Sequence, residues 1–212
     1  MIFSISQVKT NFDMLWIADC KGKCVCVAKA PFEKGAFNIY LEYPDRADQH
    51  LYYNPDDRRY GDSMIDRHSF KLFSENQFLG KITTQNKKER GFLQSYSYTS
   101  MRIGDVNYFL YQVGLGKKGL YLCIYREDDL IAIVDKALTV KNFQDEYMVY
   151  TLSQEYAEVI LPLVLYYDMT SYGDLMEVKL RSVKRERINT FQKALLAKYD
   201  PDFISRVKAL DS

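Results

Sequence analysis

The 212 residues predict a mainly β protein, a closed antiparallel barrel of about twelve strands around a central hydrophobic helix, with extra helices after it. Three observations predict it. Aromatic residues make up 15% of the chain, with 18 Tyr and 12 Phe against 5 Pro, which favours pleated sheet over a helix bundle. One hairpin pattern recurs three times. A single stretch, SQEYAEVILPLVLYYDMTSYG at 153–173, is apolar around its whole circumference. Strands that are apolar on one side need something to cover, and such a helix needs cover on every side. A sheet wrapped around the helix satisfies both and removes most exposed strand edges.

Between Phe3 and Val113 the chain reads as short strands separated by turn residues. The recurring hairpin is MLWIA, turn 19–23, CVCVA at 14–28; FKLF, turn 74–77, FLGKI at 70–82; and LYLCIY, turn 126–129, LIAIV at 120–134. Each has apolar arms around a tip rich in the Gly, Asp, Asn and Ser that short turns use. A fourth hairpin joins 94–102 to 106–113 through Gly104 and Asp105, and further strands fall at 37–43 and 146–151. About a dozen strands exceed what an open twisted sheet holds without curling or closing.

The helix starts with Ser153 or Thr151 as N-cap and Gln154 and Glu155 in its first turn, and Gly173 is its stop signal. Its apolar run from Ala157 to Tyr167 is about 11 residues, short of the roughly 20 that a bilayer span needs, so it is a core helix. Pro162 in its middle predicts a kink. Residues 1–172 therefore read as the barrel with its helix at 153–172, and 173–212 as a charged helical extension. In that extension a helix with a stripe of Ile188, Phe191, Leu195 and Tyr199 is followed by a short one. The short helix is capped by Asp200, begins at Pro201 and carries Phe203, Ile204, Val207 and Leu210. These stripes must be buried on the barrel's outside or on a partner chain. Residues 44–66 are polar and turn-rich, which reads as a functional loop or an insertion, with His50 exposed in it.

Lys and Arg total 29 against 28 Asp and Glu, so the net charge of +1 gives no global pull toward nucleic acid. The N-terminus lacks a basic-then-apolar leader pattern, and no stretch has transmembrane length, so a cytoplasmic protein is the expectation. Cys20, Cys24, Cys26 and Cys123 lack zinc spacing and read as reduced strand cysteines, so neither metal nor other cofactor is expected.

Taken together, LIAIV at 130–134 leading to Lys136, DEYMV at 145–149, and Glu155, Tyr156 and Ala157 opening an apolar helix that closes at Asp168 form a pattern. It resembles the C-terminal half of the tubby-like fold found in LURP-one-related proteins and phospholipid scramblases. The hairpins at Met14 and Phe70 resemble that family's repeated N-terminal hairpins, so the likeness covers 1–172 but not the tail. The resemblance implies a barrel of about twelve strands around a hydrophobic helix. For function it implies little beyond phosphoinositide headgroup binding at a basic patch, the tubby property, and no family ligand residue matches a position here. The charged, amphipathic C-terminal segment is unlike the apolar terminal segment of scramblases.

No nucleotide-binding, hydrolase or metalloprotease motif is present, and GLGKKG at 114–119 reads as a loop between strands rather than a phosphate cradle. The acidic set Asp45, Asp48, Asp56, Asp57, Asp62 and Asp66 is interleaved with arginines, as in a solvated loop. Two basic clusters are the candidate ligand-binding residues: Lys87, Lys88 and Arg90; and Lys179, Arg181, Lys184, Arg185 and Arg187. The expectation is a non-enzymatic binding or scaffolding module, for an acidic small ligand or for a protein partner or second copy through 184–210. The alternative is a peripheral binder of anionic lipid headgroups through the basic clusters.

Overall fold

A computed structural model describes residues 1–9, 13–33, 36–53, 69–87, 95–142, 144–172 and 183–211. In chain order the elements are β1 (Ile2–Lys9), β2 (Met14–Cys20), β3 (Lys23–Ala30), β4 (Phe32–Glu33), β5 (Ala36–Glu42), β6 (Gln49–Tyr53), β7 (Phe70–Ser74) and β8 (Gln77–Lys87). There follow β9 (Tyr96–Ile103), β10 (Val106–Gly114), β11 (Leu120–Arg126), β12 (Asp129–Lys136), β13 (Thr139–Lys141) and β14 (Glu146–Thr151). The chain then enters α1 (Ala157–Tyr172) and ends in β15 (Val183–Arg185), α2 (Lys193–Leu196) and α3 (Phe203–Leu210).

The barrel closes. Pairing runs β3-β2-β1-β14-β12-β11-β10-β9-β8-β7-β6-β5 and returns from β5 to β3, with every neighbour antiparallel. Twelve strands form the ring; β4 lies beside β5, and β13 pairs with β15 outside it. Because the ring is a meander, the tips of the three recurring hairpins share one end of the barrel, which is also where α1 enters.

The three hairpins are alike in detail. Each turn opens with a left-handed residue, Lys21, Glu75 or Glu127. Each has a bulge at the same step, where Val25, Leu79 and Ile131 are the extra residues. The bulge turns two successive positions inward, a larger residue and then a smaller one: Val25 and Cys26, Leu79 and Gly80, Ile131 and Ala132. Gly80 fits because the Arg102 carbonyl lies where its Cβ would be. The hairpins β2–β3, β11–β12 and β7–β8 are separated by two strands each around the ring, so the twelve strands form three units of four with pseudo-threefold order.

The bore of the barrel is filled by α1. Ser153 caps the helix, its hydroxyl accepting from the Glu155 amide, and one 3-10 turn precedes the α-helical residues. The side chains from Val159 to Asp168 are buried, and they pack on the inward rows Phe3, Ile5, Ile39, Leu41, Leu51 and Leu72 among others. α1 continues through Pro162, and the carbonyl that loses its i+4 donor there belongs to Glu158, in the exposed first turn. Gly173 lies outside the described residues.

Two expectations are corrected. The segment 44–66 is not wholly loop: β6 lies within it and completes the ring between β5 and β7. His50 is half-buried on β6, stacked on Tyr40 with centroids 4.4 Å apart and its Nε2 2.9 Å from Asn38 Oδ1. The helix expected across 188–199 is a single turn, α2, preceded by an extended strap. Its backbone bonds the barrel instead of itself: the Glu186 amide donates to Leu138, Gly116 donates to the Ile188 carbonyl, and the Thr190 amide donates to Gly114. Asp200 still acts at the start of the next helix, accepting from the Asp202 amide and from Arg206. Beyond the strap, Leu195, Phe203 and Val207 bury themselves on the outer face of β9–β12 against Tyr96, Tyr111, Val113, Cys123 and Ile133.

This docking explains the glycines at 114 and 116. A Cβ on Gly114 would collide with the Ile188 carbonyl oxygen, and one on Gly116, whose φ is +64°, would sit 2.5 Å from Asn189 Oδ1. The motif makes room for the strap. Gly114→Val is therefore expected to lift the tail, costing about 1–3 kcal/mol in urea melts and exposing 183–211 to protease. Undiminished protease resistance of that segment would overturn this reading.

Candidate functional site

Since α1 occupies the bore, concave surface is found at the barrel's mouth and on its wall. A cleft of about 420 Å³ opens where α1 enters, between the hairpin tips and the first helical turn. Its floor is apolar, built from the bulge residue Leu79, Ile103 at the end of β9, and Val159. Arg46, Gln77, Glu75 and Glu158 stand around it, and the half-buried Tyr108 contributes a hydroxyl whose pKa burial raises. Arg46 is positioned by Asp45, 3.1 Å away, and lies over the Tyr43 ring.

Gln49 is the informative residue of this cleft. It is only 6% exposed, and its Oε1 accepts from the Tyr43 hydroxyl at 2.8 Å, while its amide nitrogen finds no acceptor among the described residues. A buried amide with two donors normally bonds to protein or water, so this one provides a donor at the cleft for an acceptor atom from outside. A second cleft of about 420 Å³ lies on the outer wall at the other end, between Lys118 and Gly119 on one side and Ser4, Ser6, Glu146 and Met148 on the other. Its charges are mixed and no donor set converges there.

At that same end a buried ionic junction ties the barrel, α1 and the strap together. Lys136, fully buried at the end of β12, donates to Asp145 and to Glu186 Oε2, the latter at 2.8 Å, and lies 5.7 Å from the Tyr147 ring centroid. Tyr147 donates its hydroxyl to Asp168 near the end of α1, and Trp16 Nε1 on β2 donates to the same carboxylate at 2.9 Å. Burial pulls the Lys136 ammonium down, but Asp145 and Glu186 outweigh it and hold its pKa above the ordinary value. Burial, aided by Asp145, pushes Asp168 up to about 7 against the hydrogen bonds from Tyr147 and Trp16. Burial of Tyr147 beside Asp168 keeps the phenol a protonated donor. Sealed from solvent and internally satisfied, the junction is built to hold structure together.

The basic clusters divide as follows. Lys87 is exposed at the end of β8, its ammonium 5.9 Å from the Tyr96 ring centroid. Lys88, Arg90, Lys179 and Arg181 lie outside the described residues, as does the side chain of Lys184. Arg185 and Arg187 are exposed on either side of the buried Glu186. The strap alternates, so Val183, Arg185, Arg187, Asn189 and Phe191 form its outward row, with Val183 66% and Phe191 79% exposed. No described contact joins Lys87 to the strap arginines. Cys26 and Cys123 are buried thiols with pKa values pushed up to about 12, chiefly by burial. Among the described residues no helix is long and apolar enough to cross a membrane.

Among known protein families, curated proteins and solved structures, none matches this chain.

The Asp168 pKa has a stability consequence with a definite sign. Its folded value lies above its unfolded one, so the folded state holds a proton that the unfolded state releases between about pH 4 and 7. Stability from this group is present below the unfolded pKa and lost as pH rises through that window. Asp168→Asn removes the term, so in urea melts at pH 5, 6, 7 and 8 the variant is expected to gain on the parent as pH rises. A stability difference independent of pH would contradict the assignment.

Proposed function

We propose that the chain is a tubby-like barrel of the LURP-one-related kind, working in the cytoplasm as a non-enzymatic binding module for a small acidic ligand with an apolar body. The ring of twelve strands around a hydrophobic helix supports the kinship. So does the convergence of Lys136, Asp145, Tyr147 and Asp168, all within the stretch that carries the resemblance. The observation that carries the binding reading is the buried Gln49 amide at the mouth cleft without an acceptor among the described residues, beside Arg46 and above an apolar floor. The cleft volume is of small-molecule size, roughly 300–1,000 Å³. A carboxylate would be received by Arg46 and Gln49 while its hydrocarbon lies on Leu79, Ile103 and Val159.

Decanoate serves as the probe. Titrated against the labelled protein, it is expected to give saturable amide shifts at Leu79, Ile103 and Val159. Arg46→Ala weakens the response roughly 3- to 10-fold, the scale of one hydrogen bond, and Ile103→Trp fills the floor and abolishes it. No saturable shift, or binding unchanged by Ile103→Trp, would remove this reading.

A second reading, contact with an anionic lipid surface, is favoured by the outward row of the strap, where two arginines lie between an exposed valine and an exposed phenylalanine. Cosedimentation with phosphatidylcholine vesicles, with and without phosphatidylserine, addresses it. Binding should require phosphatidylserine, fall with salt, and fall further in an Arg185→Glu, Arg187→Glu double variant. Salt-insensitive or absent binding eliminates it.

A further inference from the structure

The mouth cleft offers more charge than a simple carboxylic acid would use. Arg46 is the cation of its lining; the Nε and one terminal nitrogen go to Asp45 at 3.1 and 3.4 Å, which leaves the other terminal nitrogen without a bond among the described residues. Two carboxylates share that lining, Glu158 in the first turn of α1 and Glu75 at the tip of the β7–β8 hairpin. Both are exposed, and neither has a hydrogen bond or ion pair among the described residues. The Tyr108 hydroxyl is likewise unbonded there.

A fatty acid in this cleft would suit Arg46 and the Gln49 amide but would bring a third negative charge to Glu158 and Glu75. An ammonium on the same molecule reverses the sign of that contact. The open groups are thus complementary to a zwitterion: guanidinium and amide N–H for a carboxylate, carboxylates for an ammonium, and a phenol that can serve either. The two acids alone would mark only a solvated helix end. Gln49, 6% exposed and with an open donor on the same lining, is what makes them part of a site. The floor of Leu79, Ile103 and Val159 is wholly aliphatic, so the body of the ligand is a short hydrocarbon chain.

Resting on the carboxylate-binding reading above, we propose that the ligand is a free aliphatic amino acid of the leucine class. Its carboxylate lies on Gln49 and Arg46, its ammonium on Glu158 with Glu75 beside it, and its side chain on Leu79, Ile103 and Val159. An amino acid carries both charges on one carbon, so the groups that receive them must be near each other. They are: Glu158 is close enough to add to Asp45 in raising the Arg46 pKa.

Three probes are titrated against the labelled full chain beside decanoate, reading the amides of Leu79, Ile103 and Val159. They are L-leucine; 4-methylpentanoate, which lacks the ammonium; and leucinamide, which lacks the carboxylate and stands in for a peptide N-terminus. Leucine is expected to bind about tenfold tighter than either analogue, the scale of one charge-assisted hydrogen bond. Glu158→Gln should weaken leucine about tenfold and leave 4-methylpentanoate unweakened, a split that a merely structural role would not give. Glu158 is exposed, so thermal melts of the variant should match the parent. Leucine binding no tighter than 4-methylpentanoate, leucinamide binding as well as leucine, or a Glu158→Gln loss shared by both acids would each overturn the proposal. Saturable shifts with decanoate but none with leucine would overturn it while leaving the carboxylate reading in place, and shifts with neither would remove both.

Discussion

A helix with no polar stripe has nothing in its own sequence to fix its rotation or depth inside a sleeve of apolar side chains, and in this protein Asp168 supplies that definition. It is the buried carboxylate of α1, and its two donors come from different walls, Trp16 on β2 and Tyr147 on β14. A rotation or a slide of the helix would strand a carboxylate, an indole N–H and a phenol in an apolar interior, each at a cost of a few kcal/mol. Tyr166 adds a second peg, its hydroxyl 3.0 Å from Thr84 Oγ1 on β8. Dispersion and burial hold the helix in the bore; these polar contacts select one arrangement among many of similar apolar area.

The same site binds the tail. Glu186 reaches into the wall to share Lys136 with Asp145, so the strap is latched by a buried ion pair while Gly114 and Gly116 let its backbone approach the sheet. Removing one partner from such a pair costs roughly 3–5 kcal/mol, because the remaining charge stays buried. The strap is thereby part of the fold, and its extended conformation follows: a segment whose amides and carbonyls are already committed to the barrel has no reason to close helical bonds. α2 and α3 begin only after those contacts end.

This distinction shows which parts of the structure the sequence makes legible. Local pattern carries the four hairpins, the Ser153 cap and the apolar helix, because alternation, turn residues and all-round hydrophobicity are short-range signals. β6 escapes it: its inward residues are Gln49, Leu51 and Tyr53, and a glutamine at an inward position breaks the alternation that marks a strand. Ile188, Phe191 and Leu195 have helical spacing, yet tertiary hydrogen bonding overrides it. The junction joins Trp16 to Asp168 and Lys136 to Glu186, 152 and 50 residues apart, a distance over which periodicity says nothing. At the cleft, a single buried glutamine with a spare donor looks in the sequence like any loop glutamine.

A barrel plugged by its own helix presents its variable chemistry on the outside, and the pseudo-threefold order provides three comparable outer faces. At equivalent positions the β5–β8 unit has His50, Phe73 and Phe78, the β9–β12 unit has Phe109, Tyr125 and Leu130, and the third has Ser4, Asp19 and Cys24. One backbone plan thus carries three surface chemistries. The inward rows are held to apolar residues by the helix they enclose, whereas the outward rows are unconstrained by the core. The β9–β12 face, mixed ring and aliphatic, is consumed by the tail. The β5–β8 face, of matching geometry, carries His50, Phe73 and Phe78 where the tail-covered face has Phe109, Tyr125 and Leu130, and no described part of the tail packs on it.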